Sequence, residues 1–298
     1  MNKSEVERLY EGLISRFTGW AQTQPDIRAA VVVGSRARVK YPADEWADLD
    51  VMVFTTNPER YLSRVDWLES IGKPLLTFIE PTATGNERER RVLFEGMLDV
   101  DFSIIPSERV QRLVEHGIPP DMKAQLLDTI NRGTRVLLDK DGATTKLMAL
   151  FSSTEAPKPQ PPTEHEFLEV VNDFLYHAVF TAKHLRRGEL WWAKSCLDCY
   201  MQRLLLQMIT WHARASQGWN YDTWFRGRFL EKWTDPSVLE GLRNASAHYD
   251  EDDTKHGLLE IMKLFQTIAE ETAEKLNYPY PLEASIPVTK WIRRCFEE

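Results

Sequence analysis

The segment Ala29-Ala30-Val31-Val32-Val33-Gly34-Ser35-Arg36 is followed, further along the chain, by Asp48-Leu49-Asp50-Val51. The first run is small and β-branched throughout, as expected of a strand buried on both faces. It ends at a Gly-Ser turn, where the glycine lets backbone amides approach an anion and the serine hydroxyl adds a donor. In the second run the strand alternation puts Asp48 and Asp50 on one face and Leu49 and Val51 on the other. Two neighbouring carboxylates repel each other unless a cation lies between them, and all-oxygen ligands suit Mg²⁺.

A third acid comes from the alternating strand Met97 to Ile105, in which Asp99, Asp101 and Ser103 share one face and Leu98, Val100, Phe102 and Ile104 the other. If this strand lies beside the Asp48/Asp50 strand, Asp101 reaches the same one or two ions. Three carboxylates facing a triphosphate held on a Gly-Ser turn are the parts needed for in-line nucleotidyl transfer. No Gly-x-x-x-x-Gly-Lys-Ser/Thr run exists, so a Walker-type site is excluded.

These residues resemble the polymerase-β-type nucleotidyltransferase superfamily. Val33-Gly34-Ser35-Arg36, Asp48-Leu49-Asp50-Val51 and Asp101-Phe102-Ser103-Ile104-Ile105-Pro106 are similar, more narrowly, to the aminoglycoside 6-adenylyltransferases that inactivate streptomycin. Leu185-Arg186-Arg187-Gly188-Glu189-Leu190, Ala193-Lys194 and Ala273-Glu274-Lys275-Leu276-Asn277-Tyr278-Pro279-Tyr280-Pro281 extend the similarity over nearly the whole chain. The resemblance implies an antibiotic-resistance type of transferase, moving AMP from Mg-ATP to a hydroxyl of an aminoglycoside and releasing pyrophosphate. It implies that Asp48, Asp50 and Asp101 are catalytic and metal-binding, and that Gly34, Ser35 and Arg36 bind ATP. It also implies that Lys194, from the helical half, reaches the triphosphate, although Asp198 four residues on would equally make it an ordinary helix-surface pair. Arg36 and Arg38, on the turn itself, are the alternatives.

The general base is either Asp101 or Glu80, the acid that ends the strand from Leu75. Glu166, Glu169 and Asp173 share a helix face; Asp173 is the group expected to hold a cationic acceptor, against the plainer reading of a solvated stripe. Arg243-Asn244-Ala245-Ser246-Ala247-His248 fits an Arg-x4-His pattern of helical RNases and is the alternative function, beside transfer to a different small molecule or a macromolecule.

The chain has 298 residues, enough for one large or two ordinary domains. With 43% hydrophobic and 28% charged residues it is globular rather than disordered. A net charge of −8 disfavours a stable nucleic-acid partner, which needs a basic surface, and suits a cationic small-molecule acceptor. No apolar run reaches membrane-spanning length and no secretion signal opens the chain, so the expected location is cytoplasmic, as a monomer or homodimer. Cys196 and Cys199 form a C-x-x-C inside a helical pattern with no second pair, which points to core packing rather than zinc or redox chemistry.

The fold class expected is α+β: an N-terminal mixed-sheet nucleotidyltransferase domain followed by an α-helical bundle. The catalytic domain is expected over residues 1–151 and a proline-rich linker over 152–163, with Pro157, Pro159, Pro161 and Pro162. The helical substrate- and nucleotide-binding domain is expected over 164–298. Within the first domain a helix is predicted from Ser4 to Ala21, capped by Ser4 with Glu7, and another near Pro58 to Ile71. In the second, helices are predicted over Glu164 to Leu185 and Leu190 to Arg214, with later ones near Pro236 to Ala245, Asp253 to Leu276 and Pro287 to Phe296.

Overall fold

The computed structural model describes residues 2–82, 87–152, 154 and 158–297. The chain divides into two compact units, Met1–Pro157 and Lys158–Glu298. Of the proline-rich stretch 152–163, residues 153 and 155–157 lie outside the described residues.

The first unit runs α1 (Lys3–Thr23), β1 (Ile27–Val33), β2 (Leu49–Thr55), α2 (Pro58–Ser63), β3 (Pro74–Pro81), β4 (Arg88–Phe94), β5 (Leu98–Pro106), α3 (Ser107–His116), α4 (Pro120–Asn131), β6 (Arg135–Asp139) and α5 (Ala143–Ser152). The strands form one six-stranded sheet in the order β3-β4-β5-β2-β1-β6. Only β2 and β5 are parallel; the other pairs are antiparallel, so the sheet is mixed. The unbroken apolar run of β1 is explained by cover on both sides. Ala30 and Val32 pack with Val6, Tyr10, Leu13, Ile14 and Phe17 of α1, whereas Ala29 and Val31 pack with Val110, Leu127, Leu147 and Phe151 of α3, α4 and α5.

Two local expectations are corrected. The cap of α1 is Asn2, whose side chain accepts from the Glu5 amide, and Ser4 lies inside the helix. Glu7 does not complete a capping box because its carboxylate pairs instead with Arg36. The helix expected over Pro58 to Ile71 stops at Ser63 and resumes as a 3₁₀ segment over Asp66–Ser70. The carbonyls that a continuing helix would use are taken by a side chain from the sheet: Arg90 donates to Tyr61 at 2.9 Å and also to Leu62.

The second unit is helical: α6 (Glu164–Arg186), α7 (Leu190–Ser195), α8 (Gln202–Gln217), α9 (Leu230–Trp233), α10 (Pro236–Ala245), α11 (Glu251–Leu276) and α12 (Leu282–Glu297). The apolar faces of these helices share one core that includes Phe167, Val171, Phe174, Leu205, Phe265 and Ile292. Helix α6 opens with a capping box between Thr163 and Glu166. The helix expected to continue from Leu190 to Arg214 is interrupted by a π-helical turn over Cys196–Met201, which carries Cys196, Leu197 and Met201 into the core and leaves Cys199 exposed.

Candidate active site

Sheet register builds the site. Val33 faces Asp50 across β1 and β2, Asp50 faces Asp101 across β2 and β5, and Asp101 faces Arg91 across β5 and β4. Cross-strand partners share a face, so these side chains form one row. Asp48, one residue before β2, joins it: one carboxylate oxygen from each of Asp48, Asp50 and Asp101 lies within 4.8 Å of the others. That spacing, with oxygen-only ligands, fits a divalent cation.

Asp101 is buried, and its carboxyl is pushed up to about 6, first by loss of hydration and then by the nearby charges of Glu89, Asp48 and Asp99; Arg91 opposes the shift. A group so unfavourable in its ionised form is one that a cation would relieve.

The Gly-Ser turn abuts these acids. Gly34 has φ of +70°, and a Cβ placed there would lie 2.0 Å from an Asp50 carboxylate oxygen. The residue is glycine for two separate reasons, backbone conformation and room for Asp50. Ser35 is buried, and its hydroxyl has no hydrogen-bond partner among the described residues. Buried polar groups are ordinarily satisfied, so the orphaned hydroxyl fits a phosphate oxygen. Gly133 supports the turn from below, where a Cβ would lie 2.3 Å from the Ala37 carbonyl.

Arg36, the residue expected to contact ATP, is also engaged within the protein. Its guanidinium donates to the carbonyls of Asp48 at 3.0 Å and Ala47 at 2.6 Å, and its carbon Cζ lies 3.5 Å from the centre of the Tyr10 ring. Arg36 therefore fixes the loop that carries Asp48. Tyr10 in turn donates to Asp99 at 2.9 Å, tying Asp99 to α1 rather than to the metal group.

Glu80 is not brought to the acid group. It lies on the edge strand β3, two strands from Asp101, and is ion-paired with Arg91. Sequence reasoning missed Glu89 and Arg91, both on β4. Arg91 contacts Asp101 at 3.3 Å and Glu89 at 3.2 Å, and Glu89 is buried, with its carboxyl raised mainly by lost hydration. The signal is the alternation of β4 itself, Arg88–Phe94, which puts Glu89 and Arg91 on one face.

The second unit holds the remaining expected residues. Lys194 is ion-paired with Asp198 and half-buried. Asp173 accepts from the Tyr200 hydroxyl at 2.9 Å and lies 2.7 Å from the His177 ring nitrogen. Glu166 is used in the cap of α6 and, with Glu169 and Asp173, lines one open groove of the helical unit. His248 is exposed and bonded to Asp253, whose side chain it shares between its ring and its backbone amide, while Arg243 sits in the last turn of α10.

A mixed sheet that gathers three carboxylates beside a glycine-serine turn is the face of a nucleotidyltransferase, and this chain is an enzyme of that class. It belongs to the family described as Streptomycin adenylyltransferase, which matches residues 8–295. An aminoglycoside 6-adenylyltransferase of Campylobacter jejuni is 24% identical over 279 residues, covering 88% of each chain. Others from Bacillus subtilis (strain 168) and Staphylococcus aureus are 23% and 24% identical, covering 92% and 93% of this chain and 93% and 94% of the relatives. A crystal structure of an aminoglycoside 6-adenyltransferase from Bacillus subtilis aligns with a TM-score of 0.46 at 22% identity, covering 96% of this chain and 97% of that one. The resemblance drawn from the motifs holds, and with it come ATP as co-substrate and a divalent metal. Among the described residues no helix is long and apolar enough to cross a membrane.

Proposed function

We propose that this chain transfers AMP from Mg-ATP to a hydroxyl of an aminoglycoside, with streptomycin the first acceptor to try, and releases pyrophosphate. The observation that carries the reading is the meeting of Asp48, Asp50 and Asp101 beside the unsatisfied Ser35 hydroxyl. The family and the printed names of its relatives support the acceptor.

When bound, Mg²⁺ supplies the charge that neutralises the α-phosphate as pyrophosphate departs. Asp48, Asp50 and Asp101 would hold it. Gly34 and Ser35 grip the triphosphate, the hydroxyl donating a charge-assisted hydrogen bond. Arg36 keeps Asp48 in place through the Ala47 and Asp48 carbonyls. Asp101 is assigned the proton of the acceptor hydroxyl, as a carboxylate within reach of both metal and acceptor. Lys194 is assigned a contact to the nucleotide from the helical unit, and Asp173 a contact to the cationic acceptor. The test is pyrophosphate release from Mg-ATP against a panel of aminoglycosides. Release with streptomycin supports the proposal, and release with other acceptors but no aminoglycoside refutes the substrate while leaving the enzyme class standing.

A further inference from the structure

In-line transfer sets the entering oxygen and the leaving pyrophosphate on opposite sides of the α-phosphate. Here the phosphate turn follows β1, on one flank of the acids in the order β4-β5-β2-β1. The acceptor must then approach from the opposite flank, over β5 and β4.

A cavity on the face of the sheet that carries the acids starts at Val31 and Val33 of β1, beside the turn, and runs across β2 and β5 to Glu89 on β4, so that its β4 end reaches that flank. It measures about 320 Å³, lies between the sheet and α3, α4 and α5, and adjoins Asp50. Its size is at the small end of the range for ligand pockets. Its walls are apolar, with Met52, Leu126 and Met148 among them, and Glu89 lies on its β4 side, in the row after the acids, opposite Ser103. Glu89 is 8% exposed, and its contacts are long: 3.2 and 3.3 Å to Arg91 and 3.4 Å to Ser103. A carboxylate has about four acceptor sites, so these contacts leave capacity for another donor. The Arg91 guanidinium already shows that a planar cation fits between Glu89 and Glu80.

From this placement we infer that the cavity receives a ring of the acceptor and that Glu89 binds the ammonium or guanidinium group carried on that ring. The inference rests on the proposed acceptor class. Glu89 is thereby a specificity residue that touches substrate, and Arg91 is the internal cation with which the acceptor competes.

The test compares steady-state kinetics with streptomycin, and Mg-ATP binding by calorimetry, for wild type, Glu89→Gln, Glu89→Asp and the cavity-filling Met148→Trp. Glu89→Gln should raise the KM for streptomycin about ten- to a hundredfold, as expected for loss of a charge-assisted contact. Glu89→Asp should recover part of that loss, Met148→Trp should raise the same KM, and ATP affinity should stay within twofold throughout. Thermal melts identify a variant that does not fold, in which case the other two decide. An unchanged streptomycin KM in the folded variants overturns the inference, and a loss confined to ATP assigns the cavity to the nucleotide instead. If wild type turns over streptomycin while Glu89→Gln is unaffected, only this inference falls. If wild type turns over no aminoglycoside, the acceptor assignment falls and takes the inference with it.

Discussion

Gly34 has no room for a side chain, because a Cβ would collide with the Asp50 carboxylate at 2.0 Å and its φ of +70° is unfavourable for any L residue. Gly34→Ala should therefore displace Asp50 and abolish turnover while the protein still folds, with a stability loss on the order of 1 to 3 kcal/mol. Activity assays beside denaturant melts check this. Asp50→Asn, nearly isosteric, should likewise remove turnover; near-native activity would contradict the metal assignment. Asp101 gives a prediction with a definite sign. Its carboxyl rises from 3.8 to about 6 on folding, so the folded state holds the proton more tightly than the unfolded chain. Stability is then undiminished below about pH 4 and falls as pH rises toward 6. In the metal-free protein Asp101→Asn should be more stable than wild type at pH 7.5, by up to about 3 kcal/mol at 1.36 kcal/mol per pKa unit. The difference should vanish below pH 4. Melts in chelator at the two pH values measure it, and equal stability at pH 7.5 would count against the buried, unrelieved charge. For the same reason divalent cation affinity should weaken as pH drops below about 6.

At the scale of elements, much of the site follows from local sequence. Strand alternation puts Asp48 and Asp50 on one face of their strand and Asp99 and Asp101 on one face of theirs. What local sequence does not contain is which strand lies beside which. Glu89 and Arg91 become part of the site only through the pairing of β4 with β5, and nothing in the run Arg88-Glu89-Arg90-Arg91 tells a solvated charge from one facing a cavity. The corrected boundaries have the same origin. Ser4-x-x-Glu7 satisfies the capping pattern, yet Glu7 is drawn off by Arg36 from another element, and Asn2 caps the helix instead. Asn2→Ala should then destabilise the protein by about 1 kcal/mol, whereas Ser4→Ala should have a much smaller effect; the reverse order would restore the sequence-based cap. The break after α2 is likewise invisible locally, because it depends on Arg90 arriving from the sheet.

For the whole molecule, the division of labour between two units is part of the proposal rather than of the geometry. The sheet unit contains the acids, the phosphate turn and the cavity, while Lys194 and Asp173 belong to the helical unit. Lys194→Ala should weaken Mg-ATP binding several-fold; unchanged affinity would leave Lys194 as the i, i+4 partner of Asp198 and nothing more. Binding of the cationic acceptor should weaken with added salt, through screening. Asp173→Asn should raise the acceptor's KM more than that of ATP. The class of chemistry was legible in a few residues because three carboxylates and a Gly-Ser turn have few other uses at that spacing. The acceptor was legible only through likeness to relatives, since a pocket's shape and charge are assembled from distant segments. The most direct measurement is mass spectrometry of streptomycin after incubation with the protein and Mg-ATP. The drug should gain the mass of one AMP, with one pyrophosphate released per product, and the gain should be lost on chelation of Mg²⁺ and in Asp50→Asn. Unmodified drug alongside sustained pyrophosphate release, or modified drug made equally well by Asp50→Asn, would contradict the proposed transfer.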